Sequence, residues 1–122
     1  MDPSKENSTR SDGNCIFCKI IDRKIPSTVV SEDDSHIAIR DVNPQAPTHI
    51  LILPKNHIAN ISHADNAEQL GSLFLQVGRI AAMEKLDRGF RTVVNTGEQG
   101  GQTVDHLHIH VLGGRQLHWP PG

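Results

Sequence analysis

Three histidines at alternate positions, His106-Leu107-His108-Ile109-His110-Val111, carry the most chemical information in the chain. In an extended strand successive side chains point to opposite faces, so His106, His108 and His110 share one face, each about 7 Å from the next. Leu107, Ile109 and Val111 share the other face and are predicted to pack on a core. A solvated strand face ordinarily uses Thr, Lys or Glu, so a face made of imidazoles points to function. Imidazoles titrate near neutral pH, bind metals and attack phosphorus. Two chemistries compete here: alternate strand histidines ligating zinc, and nucleophilic catalysis. The preceding loop, Asn95 to Gln102, favours the second. Its Gly97, Gly100 and Gly101 allow backbone N–H groups to converge on an anion, and Asn95 and Thr103 add an amide and a hydroxyl. An anion cradle leading into a row of imidazoles suits phosphoryl chemistry without a metal.

Cys15 and Cys18 form a C-x-x-C pair. The spacing fits a redox pair, half a zinc site or a chance neighbour. A redox pair would want a thioredoxin-like βαβ setting, which the sequence lacks. A zinc site needs two further ligands. Two cysteines are too few for a secreted disulfide scaffold.

The positioning elements follow from periodicity. Cys15 to Ile21 reads as a short helix with Ile16, Phe17 and Ile20 toward a core. Val29-Val30 and His36 to Val42 read as a hairpin whose second strand puts Ile37 and Ile39 on one face, Ala38 and Arg40 on the other. Prolines at 44 and 47 mark a loop. His49 to Leu53 is the apolar run of a central strand. Asn66 to Leu86 is an amphipathic helix with the stripe Ala67, Leu70, Phe74, Val77 and Ala81, widened by Leu73 and Ile80. Asp65 or Asn66 supplies its N-cap. Phe90 to Asn95 and Thr103 to Leu112 complete the strands. Most strand pairs leave no room for a crossover helix, so the predicted class is α+β with a mainly antiparallel sheet.

The length, 122 residues, suits one domain. Residues 1–13 are polar and predicted to form a disordered tail, leaving 14–122 as the domain. A net charge of −2 argues against a strongly basic binder of nucleic-acid polymers. No apolar run approaches the roughly 18 residues of a membrane span, and no signal or transit pattern is seen, so the expected location is cytoplasmic.

Residues 101–112, G-Q-T-V-D-H-L-H-I-H-V-L, resemble the His-φ-His-φ-His-φ-φ motif of the histidine-triad (HIT) superfamily. Asp41 to His49, Pro54-Lys-Asn-His57 and the tail Gly113 to Gly122, which ends W-P-P-G, are similar to its Hint branch, the purine nucleoside phosphoramidases. The similarity runs from Cys15 to Gly122. It implies a HIT-like fold of about five strands with one long and one short helix, the sheet continued across a two-fold homodimer. It implies hydrolysis of the P–N bond of nucleoside 5′-phosphoramidates, releasing AMP or GMP. His108 would be the nucleophile and form a nucleotidyl-histidine intermediate. His110 would contact phosphate or leaving group, and His106, with His49 as neighbour, would fix the imidazoles. Asn95, the backbone at Gly101 and Thr103 would hold phosphate and leaving group, and Asp41 the ribose. Ile16, Phe17, Ile20, Ile39 and Val42 would form the base slot, and Trp119 the leaving-group pocket.

Arg40 stands where the family usually has an aromatic residue or His, and would stack on the base. Asp105 replaces a common aromatic and is expected at the rim. The resemblance also implies a structural zinc on Cys15, Cys18, His57 and His106, with no metal required for catalysis. His36, His63 and His118 are left as surface or rim residues. Three alternatives stay open: a dinucleoside polyphosphate hydrolase of the same superfamily, which the W-P-P-G tail argues against; a non-catalytic nucleotide-binding or scaffold protein; and a metallohydrolase with zinc in the triad.

Overall fold

The computed structural model describes residues 13–122. The tail expected over residues 1–13 lies outside them up to residue 12. In chain order the elements are α1 (Ile16–Ile21), β1 (Val29–Glu32), β2 (His36–Arg40), β3 (Thr48–Pro54), a 3-10 turn (Ile61–His63), α2 (Ala67–Met83), β4 (Phe90–Val93) and β5 (Ile109–Gly113). The strands form one sheet in the order β1-β2-β3-β5-β4, every neighbouring pair antiparallel. This is the α+β architecture expected.

Alternation along the strands divides the core in two. On one face Ala38, Ile50, Ile52, Ile109 and Val111 meet Leu73 and Ile80 of α2. On the other, Ile37, Ile39, Leu51 and Leu53 meet Phe17 and Ile20 of α1. β3 lies between β2 and β5 with both faces covered, which is why its sequence is apolar without alternation.

The helices begin and end as their sequences dictate. The Asn66 side chain accepts from the backbone N–H of Gln69 at 3.0 Å and caps α2. The helix stops three residues earlier than its apolar pattern. Lys85 takes a left-handed φ of 58°, the N–H of Lys85 returns to the Ala82 carbonyl and that of Leu86 to the Ala81 carbonyl. This is a Schellman closure, and Leu86 packs on the core beneath it. The stripe is also rotated from the one predicted. Leu73, Ile80 and Ala81 are buried, whereas Ala67 is exposed and Phe74 is 39% exposed.

The largest difference from expectation lies before β5. A strand was predicted from Thr103, but the ladder begins at Ile109. The Leu107 N–H donates to the Ile58 carbonyl, outside the sheet. Residues 103–108 therefore form a loop whose path is set by that bond and by the side chains of His106 and His108. Leu107, Ile109 and Val111 are nonetheless all in the α2-facing core, as alternation predicts.

The rotated stripe separates two substitutions. Ile80→Ala should cost about 3 kcal/mol, the usual range for emptying a core site. Phe74→Ala should cost under about 1 kcal/mol, as surface changes do. Urea unfolding of both variants checks this, and equal losses would contradict the orientation of α2.

Candidate active site and metal centre

The histidines are held by backbone carbonyls and by one another. His106 is fully buried, and its Nε2–H donates to the carbonyl of Pro54, at the end of β3, at 2.8 Å. Its proton is thereby on Nε2, and Nδ1 keeps a lone pair. Burial, the dominant cause, lowers the His106 pKa to about 4, so the ring is neutral at pH 7.

That Nδ1 lies 3.4 Å from Cys15 Sγ, 3.5 Å from Cys18 Sγ and 3.2 Å from His57 Nδ1. Cys18 Sγ and His57 Nδ1 are 3.3 Å apart, and the four donor atoms all lie within 4.8 Å of one another. A zinc ion with Zn–S of about 2.3 Å and Zn–N of about 2.0–2.1 Å would put tetrahedral ligands about 3.3–3.8 Å apart. The observed separations fit, and neutral imidazole with thiolate is the donor chemistry such an ion takes. Cys15 also caps α1, accepting the Cys18 N–H at 3.4 Å, so the helix itself fixes the C-x-x-C geometry.

His108 is oriented the opposite way from His106. Its Nδ1–H donates to the His106 carbonyl at 2.7 Å, leaving the lone pair on Nε2. Burial lowers its pKa, against the carbonyl bond and the nearby Asp41 carboxylate, which both raise it. The Phe17 ring meets it edge-on at 5.1 Å.

His110 is set by a chain of two hydrogen bonds through His49. The Gln45 N–H donates to His49 Nδ1 at 3.0 Å. The His49 proton is therefore on Nε2, 2.9 Å from His110 Nδ1 and 3.4 Å from an Asp41 carboxylate oxygen. His110 accepts at Nδ1, so its own proton sits on Nε2. Burial, then His108 and His49, lower its pKa to about 4. The His108 and His110 rings lie 4.9 Å apart. The outcome is a neutral acceptor nitrogen on His108 beside a neutral donor nitrogen on His110. Asp41, His49 and His110 also cluster closely enough to hold a metal ion. The Gln45 bond and the 2.9 Å contact already engage both His49 nitrogens and His110 Nδ1.

Several expected contacts are placed otherwise. Arg40 is on the α2 face and forms a two-bond pair with Glu84, at 2.8 and 3.1 Å. Strand alternation sends it away from Ile39, so it does not stack in the slot beside Phe17. The glycine loop closes on itself: the Gly101 N–H donates to the Glu98 carbonyl and the Gly97 N–H to the Gln102 side chain, each at 3.0 Å. These two N–H groups do not converge on an open anion cradle. Gly100 is required there, because a Cβ would sit 2.3 Å from the Thr96 carbonyl oxygen. Asn95 donates to the Gly100 carbonyl at 2.7 Å, and Thr103 and Asp105 are exposed.

Phe17, Ile20 and Ile39 are buried together, while Ile16 is 45% and Val42 98% exposed. Trp119 is 83% exposed, in a tail whose His118 carbonyl accepts from Arg91. His49 neighbours His110, not His106. His36, expected at the surface, is buried between Asp33 at 3.0 Å and the Ser72 hydroxyl at 3.1 Å, tying the β1–β2 turn to α2. Its hydrogen bond lowers the Asp33 pKa to about 2. The Asp33-x-x-His36 spacing was the available signal. Nothing in the sequence marked Gln45 or the Pro54 carbonyl, since both act through the backbone.

Comparison with known proteins gives the family. Residues 22–117 match the HIT domain family. A 14 kDa zinc-binding protein of Zea mays is 48% identical over the whole of both chains. The adenylylsulfatase HINT1 of Arabidopsis thaliana is 48% identical over 119 residues, 94% of this chain and 81% of that protein. The crystal structure of a HIT family hydrolase from Legionella pneumophila superposes with a TM-score of 0.87 at 49% identity, covering 89% of this chain and all of that one. With this family match and this fold around three ordered imidazoles, the chain belongs to the HIT domain family, on its Hint-like branch.

Proposed function

We propose that the chain is a purine nucleoside phosphoramidase working through a covalent nucleotidyl-histidine on His108. The observation that carries this reading is the opposed proton placement on His108 and His110. The His108 Nε2 lone pair attacks the α-phosphorus. The P–N bond of the substrate breaks, and the amine leaves with the bonding pair and takes up a proton from solvent. In this reading the His110 Nε2–H hydrogen-bonds to that leaving nitrogen. Bond formation makes the His108 ring cationic, which strengthens its Nδ1–H bond to the His106 carbonyl. Water then attacks phosphorus and releases one proton to solvent, the P–Nε2 bond breaks, and AMP or GMP leaves.

In this reading Asp41 holds the ribose hydroxyls. Phe17, Ile20 and Ile39 form the inner wall of the base slot, with Ile16 and Val42 at its exposed mouth. Asn95, Thr103 and the Gly101 segment flank phosphate and leaving group. Trp119 would serve the leaving-group pocket of a two-fold partner, in the cytoplasm. The relative named an adenylylsulfatase favours a second substrate class by the same attack, with sulfate as the leaving group. Zinc on Cys15, Cys18, His57 and His106 is structural in this proposal. All four ligand positions are then taken, so it offers no open position to substrate.

Three outcomes follow. His108→Ala should lower kcat on adenosine 5′-phosphoramidate by about 10³-fold or more with an unchanged circular dichroism spectrum, as loss of a nucleophile does; retention of a tenth of the activity would overturn the mechanism. The purified chain should carry one zinc by elemental analysis, and Cys18→Ser should remove it. Zinc retained in full by that variant would place the ion elsewhere. Because His108 and His110 have lowered pKa values, both stay neutral below the usual histidine pKa. The acid limb of kcat/KM should then fall below pH 6.5, and a limb at or above that pH would contradict the neutral pair.

A further inference from the structure

The proton on His110 depends on one main-chain donor, the Gln45 N–H, and that donor sits in a loop with little packing of its own. Residues 42–45 are exposed, and Ala46 is the buried residue of the loop. The Asn43 N–H donates to the Asp41 carboxylate at 2.8 Å, the Gln45 side chain to the Asn43 carbonyl at 3.0 Å, and the Asp41 N–H to the His49 carbonyl at 3.0 Å. Those bonds stay within residues 41–49. They shape the loop and do not tie it to the rest of the chain.

The segment after β5 does. Gly113 pairs in register with Thr48 at the start of β3, which brings the next residues beside the loop. The chain turns at Gly114 with φ of 89°, and a Cβ there would sit 3.0 Å from the Pro47 side chain, so glycine permits this close approach. Arg115 follows. Its Nε–H donates to the Gln45 carbonyl at 3.1 Å, and Nη1 donates to the Gln116 carbonyl at 3.1 Å. The second bond holds the planar guanidinium in place, and a charged donor makes the stronger bond to a carbonyl. Arg115 thus grips the residue whose N–H is aimed at His49 Nδ1.

We propose that Arg115 is a positioning residue: through the Gln45 main chain it keeps the proton of His49, and so that of His110, on Nε2. If Gln45 drifts from His49, the His49 proton is free to move to Nδ1. The His49 Nε2 lone pair would then require a proton on His110 Nδ1, and His110 Nε2 would have none to donate. The Asp41 carboxylate also favours a proton on His49 Nε2, at the longer distance of 3.4 Å, so loss of the brace mixes the two states and does not invert them. The catalytic consequence rests on the phosphoramidase reading. The proton placement does not.

The test is nitrogen NMR of the histidine rings in the purified chain, read beside steady-state kinetics on adenosine 5′-phosphoramidate. The unaltered chain should show His49 and His110 each as a single Nε2–H tautomer. In Arg115→Ala both rings should become tautomer mixtures, while His106 and His108, held by other carbonyls, keep theirs. In that variant kcat should fall about tenfold with KM changed less than about twofold, the pattern of a contact used in the transition state. Arg115→Lys, which keeps one donor, should recover most of both. Arg91→Ala releases the same tail at His118 and leaves Gln45 held, so it should not alter the His49 and His110 rings. Single tautomers in Arg115→Ala, mixing in Arg91→Ala, or mixing with kcat unchanged would overturn the proposal. The ring spectra do not depend on turnover, so they decide the role of Arg115 whatever His108→Ala shows.

Discussion

The His106 Nε2–H donates to the Pro54 carbonyl, and the geometry of the whole histidine face hangs on that bond. It fixes the ring inside the core at the end of β3. It turns Nδ1 toward two cysteines and His57. It also steadies the main chain, whose own carbonyl takes the His108 Nδ1–H. One residue thus joins the sheet, the Cys/His cluster and the nucleophile. A buried imidazole with only one nitrogen satisfied would cost about 1–3 kcal/mol. Here both nitrogens have partners, and among the described residues no buried side-chain nitrogen or oxygen lacks one.

Charge is handled by exclusion. Three imidazoles lie close together; burial lowers the pKa of all three, neighbouring histidines lower those of His106 and His110 further, and the rings are neutral at pH 7. The Asp41 carboxylate works against this at His108 and His110 without reversing it. What distinguishes the three rings is therefore proton placement, and each placement is imposed by a backbone partner: the Pro54 carbonyl, the His106 carbonyl and, through His49, the Gln45 N–H. A metal ion at the Cys/His cluster would use the unprotonated Nδ1 of His106.

The α+β class with an antiparallel sheet could be anticipated because β2, β3 and β5 read as strands and the connections are short. The histidine row and the cysteine pair were also legible, because their types and spacing carry the chemistry. His57 was reached only through the family resemblance, and the structure brings the four cluster donors within 4.8 Å. The rest was hidden for physical reasons. Where β5 begins depends on a bond from Leu107 to Ile58, distant in sequence and made by main chain. Arg40 was assigned to the base slot by position, but strand alternation and Glu84 decide its direction. The glycine loop has the residues of an anion cradle, yet its Gly97 and Gly101 N–H groups close on their own loop, which composition does not reveal. His36 looked like a surface residue because its partner Ser72 lies 36 positions away.

The central claim, that His108 is the nucleophile, is met most directly by intact-protein and peptide mass spectrometry of the chain quenched during turnover of adenosine 5′-phosphoramidate. The account predicts an added adenylyl mass on the peptide containing His108, acid-labile and absent in His108→Ala. Turnover with no adduct on that peptide, or an adduct on another residue that His108→Ala leaves in place, would contradict it.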